Sequence, residues 1–247
     1  MKKITILLGL IMFASLFANA QRGKVTWMSL AVKGGYGSSM MMHMESLNDQ
    51  NVTYKYFSPS YFVGGRFGLT FGQVVGVSTN VLYSDFMQGY SIDNLGTKYD
   101  KQTDFKALDV DVTLRLTSPT SFYFEIGPKF TKINSITNSM PPTSSIISVD
   151  VMDNYKPNWT SILLGMGFMP YRSDRVELSL GFRASYGFSS IITDNNQYYA
   201  VKDAVYSPTY TDPTTNPIQL YGVVELNYLF GYFGTANCGK FKVILFK

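Results

Sequence analysis

The chain has 247 residues, 21 basic against 17 acidic side chains, a formal net charge of +4 and a single cysteine, Cys238. No Lys/Arg cluster of five or more occurs, which excludes an electrostatic footprint for nucleic acid, and one cysteine excludes an internal disulfide framework. Tyr and Phe number 18 each, only 15% of residues are charged, and no apolar run beyond residue 20 reaches 18 residues, so β structure is indicated and a helical membrane protein is not.

The chain opens on Lys2 and Lys3, an apolar run over residues 4–17 and the small triplet Ala18-Asn19-Ala20. This is the tripartite pattern of a secretory signal peptide over residues 1–20, with cleavage expected before Gln21. No cysteine follows the run, so a lipid anchor at the new N-terminus is not expected. Removal takes two bases and no acid, leaving 19 against 17 and a near-neutral chain.

From residue 25 onward, apolar and polar residues alternate with period two in segments long enough for a tilted strand to cross the hydrocarbon layer. The first three lie at residues 25–37, 59–71 and 74–86. In the fourth, Leu108, Val110, Val112, Leu114 and Leu116 oppose Asp109, Asp111, Thr113 and Arg115. The fifth and sixth fall at residues 121–133 and 158–171. The seventh is the clearest: Val176, Leu178, Leu180, Phe182, Ala184, Tyr186 and Phe188 share one face, and Glu177, Ser179, Gly181, Arg183 and Ser185 the other. The eighth, residues 218–230, sets Ile218, Leu220, Val224, Leu226, Tyr228 and Phe230 against Gln219, Tyr221, Glu225 and Asn227. Eight strands are counted, with ten as the rival number.

The connections alternate in length. Tight turns are expected at Gly72-Gln73, at residues 117–120 and at 172–174, and long polar loops at 38–58, 88–104, 136–158 and 189–216. This predicts an all-β, closed, antiparallel up-and-down transmembrane barrel over residues 21–230, with short periplasmic turns, long external loops and a periplasmic tail over 231–247. Closure follows from the solvent: in lipid every backbone N–H and C=O must be paired, so a spanning sheet can have no free edge. On the expected lipid face, Phe71, Phe122, Phe124, Phe168, Tyr228 and Phe230 fall at one end, and Tyr36, Phe57, Tyr83, Phe130, Tyr186 and Phe188 at the other. Two aromatic girdles are thereby predicted.

The inward phase carries the bases Lys33, Arg66, Arg115, Lys129 and Arg183 and the acids Asp109, Asp111, Glu125, Glu177 and Glu225. An eight-stranded barrel is just wide enough for side chains to fill, so a charge-balanced network plugging the lumen is expected.

No cofactor and no enzyme chemistry are indicated. His43 is the only histidine, no G-x-S-x-G occurs, and a charged lumen offers no slot for an acyl chain. The run Met40, Met41, Met42, His43, Met44 has the soft ligands that suit Cu(I); the competing interpretation is a loop packing on its neighbours. The C-terminal stretch could add a strand to a periplasmic partner or stay disordered.

Ala18-Asn19-Ala20-Gln21, Lys33-Gly34-Gly35-Tyr36, Gly64-Gly65-Arg66-Phe67-Gly68 and Tyr123-Phe124-Glu125-Ile126-Gly127-Pro128 together resemble the PorT-like outer-membrane β-barrel proteins of Bacteroidota. The resemblance implies an eight-stranded barrel of the OmpA/OmpX type and carries no catalytic residues over. Three functions are compatible with it: a structural or interaction protein of the outer membrane, an accessory of a secretion or envelope-assembly complex, and a narrow pore or transporter. The partners expected are the outer-membrane bilayer and a protein of the periplasm or outer membrane.

Overall fold

A computed structural model describes residues 25–72, 74–140, 147–193, 206, 208, 210, 212, 214–235 and 241–245. The expected signal peptide, its expected cleavage point and Cys238 lie outside these residues. Eight long strands make the body: β1 (Val25–Met42), β3 (Pro59–Phe71), β4 (Val75–Asn94), β5 (Thr97–Thr117), β6 (Phe122–Met140), β8 (Asn158–Arg172), β9 (Val176–Gly187) and β10 (Asn216–Thr235). Each pairs antiparallel with the next, and β1 also pairs with β10 along its whole length, from Val25↔Gly234 to Met42↔Asn216. The eight therefore close on themselves, and no long strand is left with a free edge at the level of the lipid.

The outside of this ring is apolar and the inside polar, the reverse of a water-soluble barrel. On β1, Leu30, Val32 and Tyr36 are exposed while Lys33 and Ser39 are buried; on β10, Leu220, Val224, Leu226 and Tyr228 are exposed while Gln219, Glu225 and Asn227 are buried. Only a hydrocarbon solvent makes such a distribution stable, so the fold is a transmembrane β-barrel of the outer-membrane type. Of the expected girdle residues, Phe122, Phe124, Phe168 and Tyr228 are exposed at the short-turn end, and Tyr36, Phe57, Tyr83, Phe130, Tyr186 and Phe188 toward the other.

Three of the long loops are built differently from the sequence expectation. Residues 88–104 continue β4 and β5 as a paired hairpin closed by Leu95 and Gly96, both at positive φ (52° and 85°). Residues 38–58 hold the end of β1, a one-turn helix α1 (Met44–Leu47) and β2 (Val52–Tyr54), which pairs with β4. In residues 136–158, β6 runs to Met140 and β7 (Ile147–Asp150) folds back on it.

The reason is a change of polarity along unbroken strands. On β5 the outward residues Val112, Val110 and Leu108 give way to Lys106, Asp104 and Gln102, while the inward Asp111 and Asp109 give way to the buried Ala107 and Phe105. On β4, outward Val81 and Tyr83 are followed by Asp85, and inward Asn80 and Ser84 by Phe86, Tyr90 and Ile92. A bulge between Lys106 and Ala107 sits at the switch. Beyond it the barrel is a small water-facing domain with an ordinary apolar core, in which Phe86 and Phe105 stack 5.0 Å apart and Trp159 meets Phe86 edge-on.

At the opposite end, β10 runs to Thr235, five residues past the boundary expected at 230. Phe241–Leu245 forms β11, which pairs with Gly231–Thr235, so this part of the expected tail is an added hairpin strand.

Candidate functional site: a charge-filled lumen

Nine of the ten charged residues read as inward are buried inside the barrel: Lys33, Arg66, Asp109, Asp111, Arg115, Glu125, Lys129, Arg183 and Glu225. They form two levels. In the lower, three cations surround Glu225: Lys33 Nζ lies 2.7 Å from its Oε2, Arg66 Nη1 2.7 Å and Arg115 Nη1 2.9 Å from its Oε1. Glu125 takes Arg115 through Nε at 2.7 Å, with Lys33 Nζ and Arg183 Nε each 3.5 Å from its Oε2. In the upper level the pairing is one to one: Arg183 Nη2 meets Asp111 Oδ1 at 3.0 Å, and Lys129 Nζ meets Asp109 Oδ2 at 2.8 Å.

Neutral side chains complete the array. Asn80 donates to Asp111, Ser84 and Thr131 to Asp109, Lys129 Nζ to Gln219, and Arg66 Nη1 to Asn227 Oδ1. The Arg115 guanidinium lies 4.4 Å from the centre of the Tyr123 ring. The Tyr123 hydroxyl rests on Gly167 and Gly181, where a Cβ would come within 2.7 and 2.4 Å of it. Those paired glycines are the space the phenol occupies. Charges buried this deep recover their desolvation cost only through good geometry, so the array fills and registers the lumen more than it adds net stability.

Glu177 does not join them. It stands at the short-turn rim, where Arg172 Nε lies 2.8 Å from its Oε1. The sequence phase places it inward correctly, but β9 begins only at Val176, so the side chain emerges below the filled section.

At the upper level, Phe62, Leu82, Tyr221 and Leu163 crowd against Asp109, Lys129 and Arg183 and narrow the lumen to a void of about 10 Å³. Below them it widens into a vestibule of about 440 Å³ at the short-turn end, lined by Trp27, Ser29, Arg66, Thr70, Arg115 and Met169 among others. The neutral residues of this wall, Trp27, Ser29, Thr70 and Met169, are not separable by type from strand filler, and sequence reasoning missed the vestibule.

The methionine run is scattered. Met41 is buried in the outer core and Met44 is exposed. His43 is buried as the cap of α1: Nδ1 accepts from the Ser46 N–H at 3.1 Å, which leaves the proton on Nε2, 2.5 Å from the Asp212 carbonyl oxygen. Alternation along β1 sends neighbouring thioethers to opposite faces, so these five residues do not share one face. Asp49, nearby, accepts from the hydroxyls of Tyr206 and Tyr210, at 2.5 and 2.7 Å, which ties the first outer loop to the last.

No protein-family model matches the sequence, and no curated protein does. Among solved structures, the chain overlaps Neisserial surface protein A (NspA) at a TM-score of 0.37 and 8% identity, over 83% of this chain and 97% of that one. Ail, the attachment invasion locus protein of Yersinia pestis, overlaps at 0.35 and 10% identity, over 81% and 97%. The N-terminal β-barrel domain of Pseudomonas aeruginosa OprF overlaps at 0.30 and 9% identity, over 81% and 96%. Overlaps this loose carry no functional argument; the barrel rests on its own closed pairing and inverted surface.

Proposed function

We propose that the chain is exported to the outer membrane and acts there as a structural and interaction protein, holding a folded platform outside the cell on a plugged barrel. The observation that carries this is the switch of polarity along β4 and β5: the strands leave the lipid still paired and build a core around Phe86, Phe105 and Trp159, which makes the outer end a rigid surface. The filled lumen beneath it supports a closed conduit. Crosslinking in native outer membranes followed by capture of the full chain tests the reading. A discrete partner, lost when Lys98 and Asp100 on the projecting hairpin are changed, is expected; stepwise single-channel current through the reconstituted protein would replace this function with a pore.

A second reading, an accessory of a secretion or envelope-assembly complex of the PorT-like kind, is favoured by β11. It pairs with β10 alone among the described strands, so its other edge offers backbone groups to a periplasmic partner. Removing residues 241–247 and repeating the capture separates the two readings, because a platform partner is retained and a periplasmic one is lost.

A further inference from the structure

We propose that the vestibule at the short-turn end is a binding site for a carboxylate ligand that carries an apolar side group. The argument begins with where charge is left over. In the upper level of the lumen each cation has one carboxylate, Arg183 with Asp111 and Lys129 with Asp109. The lower level holds three cations, Lys33, Arg66 and Arg115, over two carboxylates, Glu125 and Glu225. At the rim, Arg172 is matched by Glu177 and the exposed Asp174 adds an acid to the lining, so the balance is struck over the buried groups alone. One buried positive charge is therefore uncompensated, and it lies in the level that adjoins the vestibule.

Arg66 is the cation best placed to express that excess. Arg115 spends Nε, Nη1 and Nη2 on Glu125 and Glu225. Arg66 spends Nη1 on Glu225 and Asn227; its buried Nε, like Lys33 Nζ and Arg183 Nε, has no hydrogen-bond partner among the described residues, and of these three side chains only Arg66 lines the vestibule. The side chain is only 4% exposed and lines the vestibule. A buried guanidinium with an unused donor and unbalanced charge favours a planar anion, and a carboxylate supplies one negative charge and two acceptor oxygens. Ser29 and Thr70 stand on the same wall as further donors, and Trp27, Met169 and Leu229 give the apolar surface that selects a carboxylate with a hydrophobic group over a bare ion. At about 440 Å³ the space admits one such group.

The chain has two tryptophans, Trp27 and Trp159. Trp159→Phe leaves the vestibule residue as the sole indole and reports binding by fluorescence. The detergent-purified full chain is titrated with N-acetylphenylalanine, with its neutral amide, and with a short peptide ending in phenylalanine as free acid and as amide. A saturable change with the acids, about tenfold weaker or absent with the amides, is expected. Comparison of the two acids tells a free small molecule from a chain terminus. Arg66→Met should lose the response while its heat-modified gel shift persists, and Arg66→Lys should keep part of it. Equal response to acid and amide, or none to either acid in the wild-type background by calorimetry, overturns the proposal, and so does a folded Arg66→Met chain that still discriminates acid from amide.

Discussion

Lys33 and Glu225 face each other across the seam that closes the barrel. They are register partners on β1 and β10, the first and last long strands, and the ammonium lies 2.7 Å from the carboxylate with neither side chain exposed. The two ends of the barrel in sequence are thus joined by an ion pair as well as by backbone hydrogen bonds.

Glu225 serves three cations, so Glu225→Gln should be the most damaging single change in the lumen, about 3–5 kcal/mol by equilibrium unfolding in lipid or detergent. Arg66→Met removes a charge from a level that already has one cation too many and should cost clearly less. Unfolding midpoints in the opposite order would show that the excess charge is not where the pairing places it.

An arginine scan along the outward face of β5 tests the lipid boundary. Arginine at Val112 should cost about 2–4 kcal/mol, because this position lies in the apolar band; at Asp104 or Gln102 the cost should fall to near zero. A flat profile along the strand would contradict a hydrocarbon surround below Lys106.

Gly35 lies beneath the Phe62 ring, its register partner on β3, and a Cβ there would approach ring carbons at 2.3 to 3.0 Å. Gly35→Ala should destabilise by about 1–3 kcal/mol through overpacking. Phe62→Leu in the same chain should recover a good part of the loss, because the obstacle is a side chain and not backbone; a double variant no better than the single would locate the strain elsewhere.

The tie between the outer loops should depend on pH. Burial disfavours the Asp49 charge, but hydrogen bonds from Tyr206, the Asn51 amide and Tyr210 outweigh it and hold the carboxyl below its ordinary range. A folded-state pKa below the unfolded one gives a contribution that is complete above about pH 4 and is lost as pH falls through the depressed value. Protease sensitivity of the outer loops should therefore rise in acid, and Asp49→Asn should be sensitive at every pH. Wild type and variant cut alike at neutral pH would remove Asp49 from the tie.

The barrel was legible in the sequence because lipid imposes one rule on every crossing: Val176 to Phe188 and Ile218 to Phe230 alternate outward-apolar without interruption. The lumen charges followed from the same phase. The hairpin over residues 88–104 was not legible because its parity is intact while its polarity is reversed. Tyr90 and Ile92 point inward like Asn80, but a template that sends apolar residues outward reads them as loop. Glu177 was misplaced because phase gives the side of a strand and not the depth. The vestibule was invisible because Trp27 and Ser29 on β1, Thr117 on β5 and Met169 on β8 come to line one space only through closure of the barrel.

The reversal on β4, β5 and β6 also acts as a depth gauge. Asp85 and Lys106 are cross-strand partners just above Tyr83 and Leu108, and on β6 Lys132, the partner of Leu108, follows Phe130. A slide of two residues inward would carry acids and lysines into hydrocarbon, and the same slide outward would strand leucine and tyrosine in water. How far the folded outer end stands off the membrane is therefore written into the wall of the barrel.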